Sequence, residues 1–143
     1  MALSLLGALT GCSGSDAGSS VRHGDAGSVA VAYTDRLFNG RSKEAEPLVD
    51  PTALGAFRVI AAEMSAGATQ ARDLRVAAVV ANGKRATVTL SGTLCVDRSP
   101  SRTAGASPDS AHCRTRKADS APDPAFVVKL VQEGSAWQVY YPS

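Results

Sequence analysis

The sequence predicts an α+β domain in which N-terminal helices lie on an antiparallel sheet of about four long strands. Three observations predict it. Apolar residues recur at helical spacing over 29–39 and again after Pro51. They alternate with polar residues over 84–97 and in two shorter runs, 125–132 and 136–141. Asn82-Gly83 and Glu133-Gly134-Ser135 separate the strand-like runs, and both are hairpin signals.

Ser28 is suited to cap a first helix over 29–39 that ends at Asn39-Gly40, with Ala30, Tyr33, Leu37 and Phe38 near one face. A short helical turn is expected after Ser42, stopping before Pro47. Asp50-Pro51 reads as a cap followed by a first-turn proline. The helix it opens carries Leu54, Phe57, Ile60 or Ala61, and Met64, and Gly67 closes it. Both helices are amphipathic and need an apolar surface to lie on. Residues 72–81 and 84–97 supply one as a hairpin, with Ala86, Val88, Leu90, Leu94 and Val96 facing inward. Gly92 interrupts that alternation and marks a bulge where a long strand bends. In the last hairpin the inward sets are Phe126, Val128 and Leu130, then Trp137, Val139 and Tyr141.

The apolar run over residues 1–9 leads into Leu9-Thr10-Gly11-Cys12, which resembles the lipobox of bacterial lipoproteins. The resemblance implies a signal segment over 1–11, a lipid on Cys12, and a protein held at the extracytoplasmic face of the cell membrane. No Lys or Arg precedes Arg22, so the basic start of such a signal is expected upstream of Met1. Residues 12–28 are rich in Gly and Ser and suit a flexible stalk spanning about 20 Å. The apolar residues before Cys12 are too few to span a bilayer, which takes about 20. Residues 29–143 are enough for one domain with one core. Hydrophobic residues make up 44% of the chain and aromatics only 5%, so the core must rest on Val, Leu and Ala.

The net charge of +2 excludes a generally basic nucleic-acid binder. Positive charge gathers instead in an insert over 98–122, where Arg98, Arg102, Arg114, Arg116 and Lys117 outnumber Asp109 and Asp119. The insert has no period and reads as a solvated surface loop, which Cys113 would pin back near the strand that holds Cys95. A second reading makes those five cations a contact surface for anionic lipid heads, wall polymer or an acidic partner. If Cys12 carries lipid, Cys95 and Cys113 remain as a pair, and outside the cytoplasm such a pair forms a disulfide. The link would close a loop of about 17 residues. The alternative is a metal or redox site with His112, but it would have at most three ligands and no CxxC spacing.

The order of elements, with residues 33–40 (YTDRLFNG) early and 130–139 (LVQEGSAWQV) at the end, resembles small actinobacterial lipoproteins with a nuclear-transport-factor-2-like domain, also described as SnoaL-like or cystatin-like. The resemblance implies a cone-like curved sheet closed by the helices. Some members of that superfamily are isomerases or dehydratases with His, Asp or Glu inside the cone, and others only bind or dimerise. Here His23 falls in the stalk and His112 in the insert. Asp35 and Glu63 are spaced as solvent-side helix residues, and Asp73 and Asp97 fall at strand ends. No pair meets the reach and tuning a general acid and base require, so no catalytic residue, metal or cofactor is assigned. Tyr33, Phe57, Trp137 and Tyr141, with Tyr140, are candidates to line the cone or its mouth. The expectation is a non-catalytic binding or interaction module at the cell envelope. It would take a small apolar ligand in the cone or an envelope protein on the open sheet face, with a homodimer as one form. The alternatives are a small cone-fold enzyme and a purely structural envelope protein.

Overall fold

The computed structural model describes residues 25–142 except 104 and 122. Cys12, the segment before it and most of the stalk lie outside the described residues.

Helix α1 spans Ala26–Phe38 and begins earlier than the sequence suggests. Asp25 caps it, its carboxylate accepting hydrogen bonds from the backbone N–H groups of Gly27 and Ser28. Asp is as good a cap as Ser, and the first turn is built from small residues. The fit there is tight, because a Cβ at Gly27 would come within 2.9 Å of Val76. Asn39, just past the helix end, ties it to the sheet. Its side chain donates to the Ala71 carbonyl at 3.2 Å and accepts from the Ala71 N–H at 3.0 Å.

Helix α2, Ser42–Ala45, ends before Pro47 as expected, and the chain continues directly into a 3-10 turn over Glu46–Leu48. Proline is tolerated in such a first turn, where its missing N–H goes unused. Asp50 then accepts from the Thr52 N–H at 2.8 Å, and a turn over Pro51–Ala53 runs into α3, Leu54–Ser65. Phe57, Ala61 and Met64 are its buried stripe.

The sheet is antiparallel and curled. Its strands are β1 (Ala68–Asn82), β2 (Arg85–Asp97), β3 (Cys113–Arg116), β4 (Val127–Glu133) and β5 (Ala136–Val139). They stand in the order β1-β2-β4-β5, and β3 pairs with the part of β2 that β4 leaves free. Asn82 is the last paired residue of β1, opposite Arg85, so Gly83-Lys84 rather than Asn82-Gly83 forms the turn. Gly83 has φ +57 and Gly134 has φ +61, the first-position glycine of a type II′ hairpin.

Gly92 marks the bend, as its place in the alternation suggests, but the extra residue lies opposite it on β1. Arg72 pairs with Thr93 and Arg75 with Ser91, so Asp73 and Leu74 together face Gly92. Asp73 takes φ +53 and Gly92 φ +141, and a Cβ at Gly92 would sit 2.9 Å from the Arg72 carbonyl oxygen. Such a bulge sharpens twist and bends the strand pair, which curls the sheet around the helices.

The concave face carries Ala86, Val88, Leu90 and Leu94 from β2, Val128 and Leu130 from β4, and Val139 from β5, all buried. Val29, Ala30, Tyr33 and Leu37 of α1 meet them, with Phe57 of α3. Val96, Trp137 and Tyr141 are only half-buried. Most described residues of the insert are exposed, and the insert is stapled to the sheet as expected, but it also contains regular structure. It forms a 3-10 turn over Ser110–His112 and then β3, in which Cys113 stands directly opposite Cys95 and is joined to it by a disulfide. The covalent link sits inside the ladder, so the chain after Cys113 is already in register to pair.

Candidate functional site

The space between helices and sheet is filled by the chain's own side chains. Phe57 and Phe126 are each 1% exposed, and Leu90 and Leu130 fully buried. The buried carboxylates among the described residues serve the backbone instead. Asp50 caps the turn into α3, and Asp97 accepts from the Ser99 N–H at 3.0 Å. Hydrogen bonds from Ser99, then from the Asp109 backbone, with the His112 charge, hold the Asp97 carboxyl at about 2, below its ordinary 3.8. It is therefore a fixed anion at neutral pH, with Arg102 Nε 3.1 Å from its other oxygen.

Outside the core, the end of the last hairpin forms an apolar cleft of about 490 Å³. Tyr33 of α1, Tyr140 and Tyr141 line it with Pro124, Val127 and Pro142. The hydroxyls of Tyr33 and Tyr141 are hydrogen-bonded to each other. Burial first, and the Tyr141 hydroxyl second, push the Tyr33 phenol far above its ordinary range. Burial likewise raises Tyr141. Both stay neutral at any physiological pH, so the pair offers hydrogen bonding and an apolar wall, not charge. The Arg85 guanidinium lies 5.5 Å above the Tyr140 ring, within cation–π range. Of the aromatic residues singled out in the sequence, Tyr33, Tyr140 and Tyr141 come together here. Phe57 stands behind Tyr33 in the core, ring centres 6.2 Å apart, and Trp137 pairs across from Gln132 on β5.

The five cations of the insert are dispersed. Arg98 lies 3.6 Å from Glu63, Arg102 bridges Asp97 and Asp109, and Arg114 lies 3.6 Å from Asp123. Arg116 is buried and pairs on β3 with Gly92 of β2. Its Nη2 donates to the Ser120 carbonyl at 3.1 Å, while Nε and Nη1 have no hydrogen-bond partner among the described residues. Lys117 is exposed. Arg114 and His112 also border a cleft of about 390 Å³ with Phe38, Met64, Leu94 and Val96. Cys113 is committed to the disulfide, and no group of three His, Cys, Asp or Glu side chains stands together among the described residues.

A further feature lies on β1, which forms one edge of the sheet. Beyond Val76, which lies against Gly27 of α1 and is 42% exposed, the strand emerges from under the helices, leaving Val79 44% and Val80 68% exposed. The sequence signal for it is the run Val76-Ala77-Ala78-Val79-Val80-Ala81. Read alone, such a run looks like a buried strand, and only the helix placement reveals that it is uncovered. The chain matches no protein-family model, no curated protein and no solved structure.

Proposed function

We propose that this chain is a lipid-anchored, extracytoplasmic interaction module of the bacterial envelope, tethered through Cys12 and acting by binding another macromolecule rather than by catalysis. One observation carries the binding half of the reading: the interior is occupied by Phe57, Phe126, Leu90 and Leu130, so recognition falls to the outer surface. The anchoring half rests on the lipobox-like stretch ending at Cys12 and the Gly/Ser-rich chain after it. The second reading, a small apolar ligand, has the tyrosine-lined cleft in its favour.

Two measurements test the proposal. In a bacterial host the full chain should enter the detergent phase on phase separation, and Cys12→Ser should move it to the aqueous phase. A variant that stays with detergent removes the anchor. Titration with an uncharged fluorescent probe such as N-phenylnaphthylamine should give no saturable signal. Saturable one-to-one binding, abolished by filling the cleft with Val127→Trp, would transfer the function to small-molecule binding.

A further inference from the structure

We infer that the β1 edge over residues 75–82 is a strand-addition site for an extended partner segment that has an apolar, β-branched middle and acidic ends; the inference rests on the interaction-module reading above. An edge strand presents unused backbone donors and acceptors, and proteins usually blunt such edges with charge, proline or a covering element. Here the stretch from Ala78 to Ala81 carries no charge, no proline and no covering element, and the irregularity in its pairing with β2 lies before it, at Ala77. Among the described residues β1 pairs with β2 alone.

Charge identifies the occupant. Arg72 and Arg75 flank the apolar run on one side, Lys84 and Arg85 on the other. All four are exposed, and none enters an ion pair among the described residues. Asp73 is the one acidic residue between 68 and 85. Arg72 and Arg75 pair across from Thr93 and Ser91, which puts them on the convex face with Val80, opposite Thr87. An incoming strand thus meets Val80 on the convex face and Val79 on the other, with cations at both ends. A second copy fits poorly. Paired antiparallel about Ala78 and Val79, it would bring Arg72 and Arg75 of each chain to the turn end of the other, where Lys84 and Arg85 stand, and like charges gathered there repel. Backbone hydrogen bonds would supply affinity, and the acidic ends would fix register.

The probe is a labelled synthetic peptide with alternating valine and threonine in the middle and two glutamates at each end, titrated against the full chain carrying Cys12→Ser. Its counterpart has lysines at the ends. The glutamate peptide should bind and slow amide exchange over 75–82. Arg72→Glu with Arg75→Glu should weaken it by at least about tenfold. Val80→Asp, at a site too exposed to threaten folding, should do the same, and the lysine peptide should bind at least about tenfold more weakly. Equal binding of the two peptides, or no binding at about 1 mM, overturns the inference. So does a dimer in sedimentation that Val80→Asp dissociates. If the peptide fails while the uncharged probe stays unbound, the interaction-module reading survives and only the edge assignment falls.

Discussion

Replacing Phe57 by Ala tests whether the interior is packed as tightly as its burial implies. The side chain is 1% exposed, on the inward stripe of α3, and its ring lies 6.2 Å from that of Tyr33 at an interplanar angle of 54°. Removing it forfeits about 1.5–3 kcal/mol of burial. The tilted ring pair adds about 0.5–1.5 kcal/mol, and incomplete collapse of the hole adds more. The total is about 3–5 kcal/mol, the usual range for a core phenylalanine. A domain of roughly 120 residues unfolds with about 0.25 kcal/mol/K of entropy, so the melting temperature should fall by about 12–20 °C. Calorimetry of the two proteins at one pH measures it. The variant should also gain what the native protein is expected to lack, saturable binding of a benzene-sized apolar molecule in the new hole. A loss below about 1 kcal/mol would mean that the site is loose or open. The argument that recognition happens outside would then fail with it.

The remaining predictions probe single devices of the fold. Cys95→Ala with Cys113→Ala should cost about 3 kcal/mol in a denaturant titration, because the link closes a loop of separation 18; no change in midpoint would make the disulfide ornamental. Gly92→Ala should destabilise by about 1–3 kcal/mol, since its φ is +141 and the new Cβ meets the Arg72 carbonyl oxygen at 2.9 Å. Gly55→Ala, on exposed α3 with open space around it, should stabilise by about 0.5–1 kcal/mol, and equal signs for the two glycines would refute the bulge geometry. Ser99 and its neighbours hold Asp97 at about 2 against an ordinary 3.8, so its contribution is present above 3.8 and is lost as pH falls through about 2. Melting temperatures of the native protein and Asp97→Asn should therefore differ at pH 7 and converge towards pH 2, whereas a constant gap would remove the charge argument.

Much of the fold was legible because each element announces itself locally. Asp50-Pro51, the alternation of Ala86, Val88 and Leu90, and the turn glycines 83 and 134 need no tertiary knowledge. The errors were of two physical kinds. At the start of α1, two good caps stood close together, and packing of Gly27 against Val76 favoured Asp25 over Ser28. In the insert, the pinning at Cys113 was legible and most described residues are exposed, but the strand after Cys113, which carries Arg116 into the fold opposite Gly92, was not. Composition averages over a segment, while pairing acts residue by residue, so a basic stretch can hide a strand. The aromatic candidates divided for a similar reason. Tyr33 and Tyr141 are 108 residues apart in sequence, and their meeting depends on where α1 lies across β5.

The β1 edge is the clearest case of a feature no local signal could reveal. Val76, Val79 and Val80 obey the same preference for β-branched residues as Val88 does, and nothing in the run itself says which valine ends in water. Exposure follows from length. The helices are short relative to β1, which extends past them from Ala77 to Asn82 and pairs with β2 there from Ala78 onward. Exchanging the three exposed valines for polar residues would cost the domain nothing in backbone geometry, and natural sequences usually place charge at such positions. Here the charges stand at the two ends of the run and the apolar residues in its middle. That arrangement is poor protection against pairing and a good template for it. If strand addition at this edge is the chain's work, the filled interior and the covalent pinning of β3 serve one end, a stiff sheet that presents β1 in a fixed register.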